Sequence, residues 1–276
     1  MSKVRARLLC ALTFATALGA AAPALADSTT SANWSGYAAH HAHVTFRKVY
    51  ASWTQPSVSC VSGSSTYSAF WVGLGGYSLN SEALEQIGTE ADCRASGRST
   101  MSAWYELVPN PSRPLSLRVS GGDRLAASVT VTGHKVVLAL QNVTTRKSVV
   151  KTVHASQVDV SSAEWIAEAP SSCVTANSCQ TLPLADFGSA GFQSAGAQAA
   201  GAAKTGLDNR RWTLTKITLE PSGQRFIGLQ GSGSAAGAAT PSAVTAKGTA
   251  FTITYVPVSS APPFYAADVA SSRLFH

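Results

Sequence analysis

RLAASVTVTGHKVVLALQNVTTRKSVVKTVHA, residues 124–155, decides the fold class. It holds three short runs rich in Val and Thr in which apolar and polar residues alternate, broken by Gly133 and by the polar stretch around Asn142. A period of two sends successive side chains to opposite faces, so each run reads as a half-buried strand. The same signature recurs in both directions along the chain: KVYASWTQP (48–56), YSAFWVGLGG (67–76), STMSAWYELVP (99–109), AEWIAEAP (163–170), RWTLTKITLE (211–220) and FTITYVPV (251–258). Turn residues separate these runs at roughly ten-residue spacing, the pattern of an antiparallel sandwich or barrel. No segment has helical periodicity. GSAGFQSAGAQAAGAAKTG (188–206) is expected to be a flexible loop or a short Ala-rich helix, and GSGSAAGAATPSA from Gly231 a second loop. About 250 residues with this apolar content fit a single domain, 27–258, followed by a loosely held tail, 259–276.

The first 26 residues read as a secretory signal peptide. Lys3, Arg5 and Arg7 precede an apolar run, and Ala24-Leu25-Ala26 offers a small-x-small cleavage site before Asp27. That run is too short to span a membrane, and no later one approaches the ~18 to 20 apolar residues required. Removal of residues 1–26 takes three basic residues and no acidic one, so the balance of +7 falls to 18 − 14 = +4. Lys and Arg are scattered, with no basic stripe interleaved with aromatics to suggest nucleic acid. The expectation is a secreted, extracellular monomer with no membrane association after cleavage. Of the five cysteines Cys10 leaves with the signal peptide, and Cys60, Cys93, Cys173 and Cys179 remain. In an exported chain four cysteines suggest two disulfides. Cys173 and Cys179 would close the small loop CVTANSC and Cys60 would pair with Cys93; free thiols or metal ligands are the alternative, although the spacing matches no C-x-x-C zinc pattern.

The chain lacks a G-x-S-x-G elbow, an H-E-x-x-H helix and the Asp-Thr-Gly or Asp-Ser-Gly pair of aspartic proteases. His40, His41 and His43 stand in a polar stretch without acidic or cysteine neighbours, so an exposed loop explains them better than a metal site. The acids carry more information. Five of the fourteen crowd into residues 82–106, and two more sit inside the apolar strand AEWIAE. A buried carboxylate is costly unless paired or put to use. Alternation puts Glu164, Ile166 and Glu168 on one face, which is expected to be wet or catalytic, and Trp104 with Glu106 on one face of their own strand. A solvated outer face is the plain alternative.

Five motifs in order shift that balance: SANWSGYA, SAFWVGLGG, LEQIGTE, SAWYELVPNP and SAEWIAEAP. In order and approximate spacing they resemble those of the glutamic peptidases, the eqolisin family typified by secreted fungal acid proteases, over residues 33–256. The resemblance implies an all-β fold, a two-sheet antiparallel sandwich of concanavalin-like jelly-roll type. It implies a catalytic dyad formed here by Gln86 and Glu168, with Trp34, Trp71, Glu90, Trp104, Glu106 and Glu164 in the cleft or behind it. Strand parity alone does not choose between Glu164 and Glu168; the motif match chooses Glu168. Two departures stand out. Ser102 occupies a position that is acidic in the fungal pattern, and the stretch between Ala26 and Asn33 leaves no room for a long pro-segment, which suggests a bacterial-type member.

The chemistry suits these side chains. A carboxylate can take a proton from water as general base and return it to the leaving amine as general acid. A neutral amide can donate to the developing oxyanion without competing as a base. Protein or peptide substrates are expected, with no cofactor and no metal. The rival readings are a lectin-like or peptide-binding sandwich without catalysis and a two-carboxylate glycosidase.

Overall fold

The computed structural model describes residues 27–175, 178–222, 231–232, 237–245, 247–257 and 273–275. The expected signal peptide, and the expected tail apart from residues 273–275, lie outside the described residues. The described strands, in chain order, are β1 (Asp27–Ser31), β2 (Trp34–His40), β3 (Phe46–Thr54), β4 (Ala69–Gly75), β5 (Leu84–Cys93), β6 (Ser99–Val108), β7 (Arg113–Pro114), β8 (Arg124–Thr132), β9 (Lys135–Asn142) and β10 (Lys147–His154). There follow β11 (Ser162–Glu168), β12 (Ser171–Thr175), β13 (Ser178–Thr181), β14 (Ser189–Ala199), β15 (Thr213–Leu219), β16 (Gly231–Ser232), β17 (Ala238–Pro241), β18 (Phe251–Val256) and β19 (Arg273–Phe275). Among the described residues there is no helix.

Hydrogen bonding runs without a break in the order β10-β9-β8-β3-β14-β18-β17-β15-β2-β11-β4-β5-β6-β7, with β1 parallel to β15. This large antiparallel sheet folds over on itself into a sandwich. One layer is built on β2, β11, β4, β5 and β6, the other on β3, β8, β9, β10 and β14, and β4 and β5 pack across the interior against β8. Alternation decides what the interior holds: Phe70, Val72 and Leu74 of β4 face Leu125, Ala127 and Val129 of β8 in one contiguous apolar core. The other parity of each layer points outward, and there the two layers differ. A second apolar cluster containing Trp34, Trp71, Trp104, Leu84 and Ile166 covers the outer face of the first. A smaller four-stranded sheet, β16-β13-β12-β19, continues from the end of β11. Its backbone pairing brings residues 273–275 antiparallel to Ser171–Cys173.

Two expectations for loops are overturned. Residues 189–199 are strand β14, paired with β3 and β18, where a loop or a helix was expected. Ala190, Phe192, Ala195, Ala197 and Ala199 are buried there. A Cβ on Gly196 would sit 2.2 Å from the Thr205 carbonyl oxygen, so close approach of neighbouring chain selects small residues. The register shifts between Gln193 and Gly196, where Ser194 has φ +49°, and this bulge hides the alternation. Residues 238–241 are likewise strand β17, joining β18 to β15. Non-local pairing outweighs a Gly- and Ala-rich composition in both places.

Cys60 is bonded to Cys93 and Cys173 to Cys179. The first bridge ties the segment before β4 to the end of β5 and closes a loop with a sequence separation of 33. Glu85, on the core-facing side of β5, is 1% exposed. Burial, reinforced by the nearby Asp159 carboxylate and partly offset by the Asp159 backbone N–H, pushes its carboxyl up to about 9.

Two outcomes are expected. In the unfolded chain Glu85 ionises near its ordinary value, so between about pH 4.5 and about 9 only the folded state keeps the proton. Its contribution to stability is therefore whole below pH 4.5 and lost progressively as pH rises through that window. Urea unfolding from pH 4 to 8 should show a loss of stability that is smaller in Glu85→Gln than in the parent by roughly 2–4 kcal/mol; an unchanged slope in the variant would refute this. Replacing Cys60 and Cys93 with Ser should cost about 3–4 kcal/mol of unfolding free energy through the released loop, measured the same way.

Candidate active site

The outer face of the first layer is laid out in rows by the strand register. One row reads Thr215, Ala38, Glu164, Gly73, Gln86, Glu106 across β15, β2, β11, β4, β5 and β6. The next reads Ile217, Gly36, Ile166, Trp71, Gly88, Trp104, and the third Trp34, Glu168, Ala69, Glu90, Ser102. Gln86 and Glu168 thus share a face, separated diagonally by β4 alone. Every residue that the sequence singled out for this site, namely Trp34, Trp71, Gln86, Glu90, Trp104, Glu106, Glu164 and Glu168, falls in these three rows.

Of the two alternatives for this face of β11, wet or catalytic, the wet one does not hold: Glu164 is 0% and Glu168 2% exposed, and Gln86 and Glu106 are 0% exposed. The second apolar cluster surrounds them. Buried polar groups need hydrogen-bonding partners, and this face provides several. Trp71 donates its indole Nε1–H to Glu168 Oε2 at 2.7 Å, and Asn33 donates Nδ2–H to Glu168 Oε1 at 3.0 Å. Asn33 is itself braced. Its Oδ1 accepts from the Ser31 hydroxyl at 3.1 Å, the Ser31 oxygen accepts from the backbone N–H of Trp34 at 3.0 Å, and the Asn33 carbonyl accepts from the Ala169 N–H at 2.8 Å. Gln86 donates Nε2–H to Glu106 Oε2 at 2.8 Å, which fixes the plane of its amide. Ser102 donates its hydroxyl to Glu90 Oε2 at 2.6 Å.

The tryptophans set the spacing. Trp34 meets Trp71 edge-on, with centroids 5.0 Å apart and planes at 77°. The Trp71 side chain needs the glycines around it: a Cβ on Gly88 would lie 2.6 Å from Trp71 Cβ, and one on Gly73 would lie 3.0 Å from Trp71 Cζ3. Trp104 continues the same row beyond Gly88.

Glu164 has a different environment. Its carboxyl oxygens make no hydrogen bond of good geometry among the described residues, and burial holds it well above the usual carboxylate range. The nearby Ser162 hydroxyl offsets part of that rise, and the charges of Asp159 and Glu85 add to it. The sequence therefore carries two acids two strand repeats apart that face the same way in different circumstances, one held by the Asn33 and Trp71 donors and one with the Ser162 hydroxyl nearby. Asn33 and Ser31 were not singled out by sequence reasoning. The signal was their place beside Trp34 in SANWSG, but only the pairing of β2 with β11 brings Asn33 to Glu168. His41 and His43 stand exposed in a turn, whereas His40 stacks on Tyr77 and contacts Thr215 through Nε2 at 2.8 Å.

The sequence pattern of the Peptidase A4 family matches residues 32–255. No curated protein matches the chain. Among solved structures, scytalido-glutamic peptidase bound to a transition-state analogue inhibitor superposes with a TM-score of 0.63 at 25% identity, covering 81% of this chain and 98% of that one. Aspergilloglutamic peptidase from Aspergillus niger gives a TM-score of 0.54 at 26% identity, covering 69% and 99%. SCP-B, an eqolisin in complex with the tripeptide Ala-Ile-His, shares the fold with a TM-score of 0.55 at 23% identity, covering 81% and 98%. With the family pattern matched from Ala32 to Tyr255 and the sandwich shared with these enzymes, the chain belongs to the Peptidase A4 family, the glutamic peptidases of eqolisin type.

Proposed function

We propose that the chain is a secreted, monomeric endopeptidase that hydrolyses peptide bonds with Glu168 as general base and acid and Gln86 as oxyanion donor. The observation that carries this reading is the pair of donors on Glu168: Asn33 and Trp71 each hold one carboxylate oxygen, on the same face as an amide that Glu106 holds in one plane. A carboxylate fixed at both oxygens keeps lone pairs for a water. Glu168 takes a proton from that water as its oxygen attacks the scissile carbonyl carbon. The carbonyl oxygen becomes negative, and the Gln86 amide donates to it. Such a donor typically supplies ~3 to 4 kcal/mol to the transition state. The tetrahedral intermediate collapses as Glu168 returns the proton to the leaving nitrogen, which departs as a neutral amine. No step calls for a metal or an organic cofactor.

Glu164 and Glu90 serve as supports in this scheme, and Trp34 and Trp104 as apolar walls. Residues 1–26 are removed on export, and residues 27–258 form the working domain. Peptide substrates fit the relatives, of which SCP-B holds a tripeptide and scytalido-glutamic peptidase a transition-state analogue.

Glu168→Gln keeps the size of the side chain but cannot take the water's proton, so hydrolysis of a denatured protein at acid pH should vanish while the unfolding midpoint stays near the parent's. Gln86→Ala should lose ~100-fold or more in kcat, and Glu164→Gln should keep substantial activity. If Glu164→Gln is dead while Glu168→Gln digests normally, the roles are reversed; if all three match the parent, the peptidase scheme fails.

Asn33→Ala frees one oxygen of Glu168 and should lower kcat by about 10- to 100-fold, the scale of a small misplacement of a reacting group, with KM little changed. A rise in KM alone would make Asn33 a substrate contact instead.

A further inference from the structure

The outer face of the second layer carries a groove of ≈ 610 Å³ on β3, β8, β9 and β10, and its chemistry is the reverse of the dyad face. Residues on these strands alternate between the core and this groove: Leu125, Ala127 and Val129 point in, so Arg124, Ala126 and Ser128 point out, on the side of the sandwich opposite Glu168. The groove has a floor of small residues, with Ser128 paired to Ala139 in register. Three cations line it, Lys48, Lys204 and Arg124, and no acid does. The absence is systematic. β3, β8, β9, β10 and β14 contain no Asp or Glu, and the sequence from Arg124 to Val158 holds five Lys and Arg and no acid.

Two of the cations are set against each other. Lys204 Nζ lies over the Tyr50 ring, 5.7 Å from its centroid, and partial burial, with the Lys204 charge adding to it, lowers Lys48 from the ordinary lysine range. Neighbouring like charges cost free energy, and no ion pair among the described residues relieves this pair. Arg124 stands opposite Thr54 on β3, six residues beyond Lys48, so the cations span roughly 20 Å along the strand.

We propose that this groove is a docking surface for an acidic polysaccharide, a polyuronate-like chain, and that it holds the enzyme on a carbohydrate matrix. Charge complementarity calls for a polyanion, and the surroundings favour a sugar chain over the alternatives. β8 and β9 are paired on both sides, and a peptide added at the free edge of β10 would lie beside the groove, three strands from Lys48 on β3, so strand addition does not place a peptide on the cations. The Tyr50 ring is covered by Lys204 and its hydroxyl donates to the Thr205 carbonyl at 3.2 Å, so no free aromatic platform receives a nucleic-acid base. What remains is a flat floor with Ser128, Gln141 and Ser148 as hydroxyl and amide partners and cations at either end. That set suits a chain rich in hydroxyls and carboxylates.

The test is binding of the full chain to polygalacturonate at low salt, with dextran, poly-L-glutamate and a single-stranded DNA oligonucleotide as comparison ligands. Polygalacturonate should bind in a salt-sensitive manner and dextran should not. The triple variant Lys48→Gln, Lys204→Gln, Arg124→Gln should weaken binding about tenfold, the order expected of three exposed ion contacts, with an unchanged unfolding midpoint. Arg98→Gln, on the turn between β5 and β6, removes a single charge away from the groove and should leave binding as it was, whereas each of the three groove substitutions made singly should weaken it. Absence of binding, indifference to the triple variant, or an equal loss with Arg98→Gln would overturn the proposal. Equal or tighter binding of poly-L-glutamate or of the oligonucleotide would overturn the assignment to a polysaccharide.

Discussion

The hydrogen bond from the Trp71 indole to Glu168, 2.7 Å long, sets the terms for everything around it. A carboxylate on a buried face is tolerated only with donors at hand. An indole N–H is a donor that brings its own apolar surface, so it satisfies the acid without wetting the site. The cost is room. The side chain of Trp71 occupies space that a Cβ on Gly88 or Gly73 would invade, which accounts for the glycines in FWVG and LEQIG as packing requirements. Trp34 then closes on the ring edge-on, and the strand that carries Trp34 also delivers Asn33 to the other oxygen.

Four carboxyls on this one face are handled in three ways. Glu168 accepts from the buried Asn33 and Trp71 side chains, Glu106 and Glu90 accept from side chains on the neighbouring strand, and Glu164 has burial, the fields of Asp159 and Glu85 and the nearby Ser162 hydroxyl. Desolvation favours the neutral form of an acid, and donors favour the charged form. A face lined by apolar side chains can therefore give two acids different surroundings two strand repeats apart. The Ser102 hydroxyl on Glu90 belongs to the same logic. A hydroxyl donates to a carboxylate at any pH, whereas a second carboxyl could do so only while protonated.

Much of this was legible in the sequence, and the failures have physical causes. Strands with plain alternation, β8 and β9 among them, could be read because one buried face imposes a period of two. β14 could not, because its bulge at Ser194 breaks the period and its alanines are chosen by crowding from neighbouring strands. Parity put Glu164 and Glu168 on one face correctly and could go no further, since what distinguishes them is Asn33 at a sequence separation of 135. Of the expected alternatives, a wet or a catalytic face, the wet one failed for a related reason. Alternation says which residues share a side, while the presence of a second apolar cluster on that side depends on how three tryptophans from three strands converge.

The two outer faces of the sandwich are chemically independent. The dyad face draws its acids from β5, β6 and β11, while the opposite layer draws only cations from β3, β8, β9 and β10. Stacked sheets lie about 10 Å apart, and side chains on both outer faces extend the separation to roughly 20 Å. Exposed charges are largely screened beyond a Debye length of about 8 Å at physiological salt. The groove cations stand on the far side of the core, while the groups that touch Glu168, Asn33 and Trp71, lie on its own face. An apolar core that keeps the layers apart also lets cations gather on one outer face while carboxyls gather on the other. The net charge of such a chain consequently says little about the pH at which its acids work.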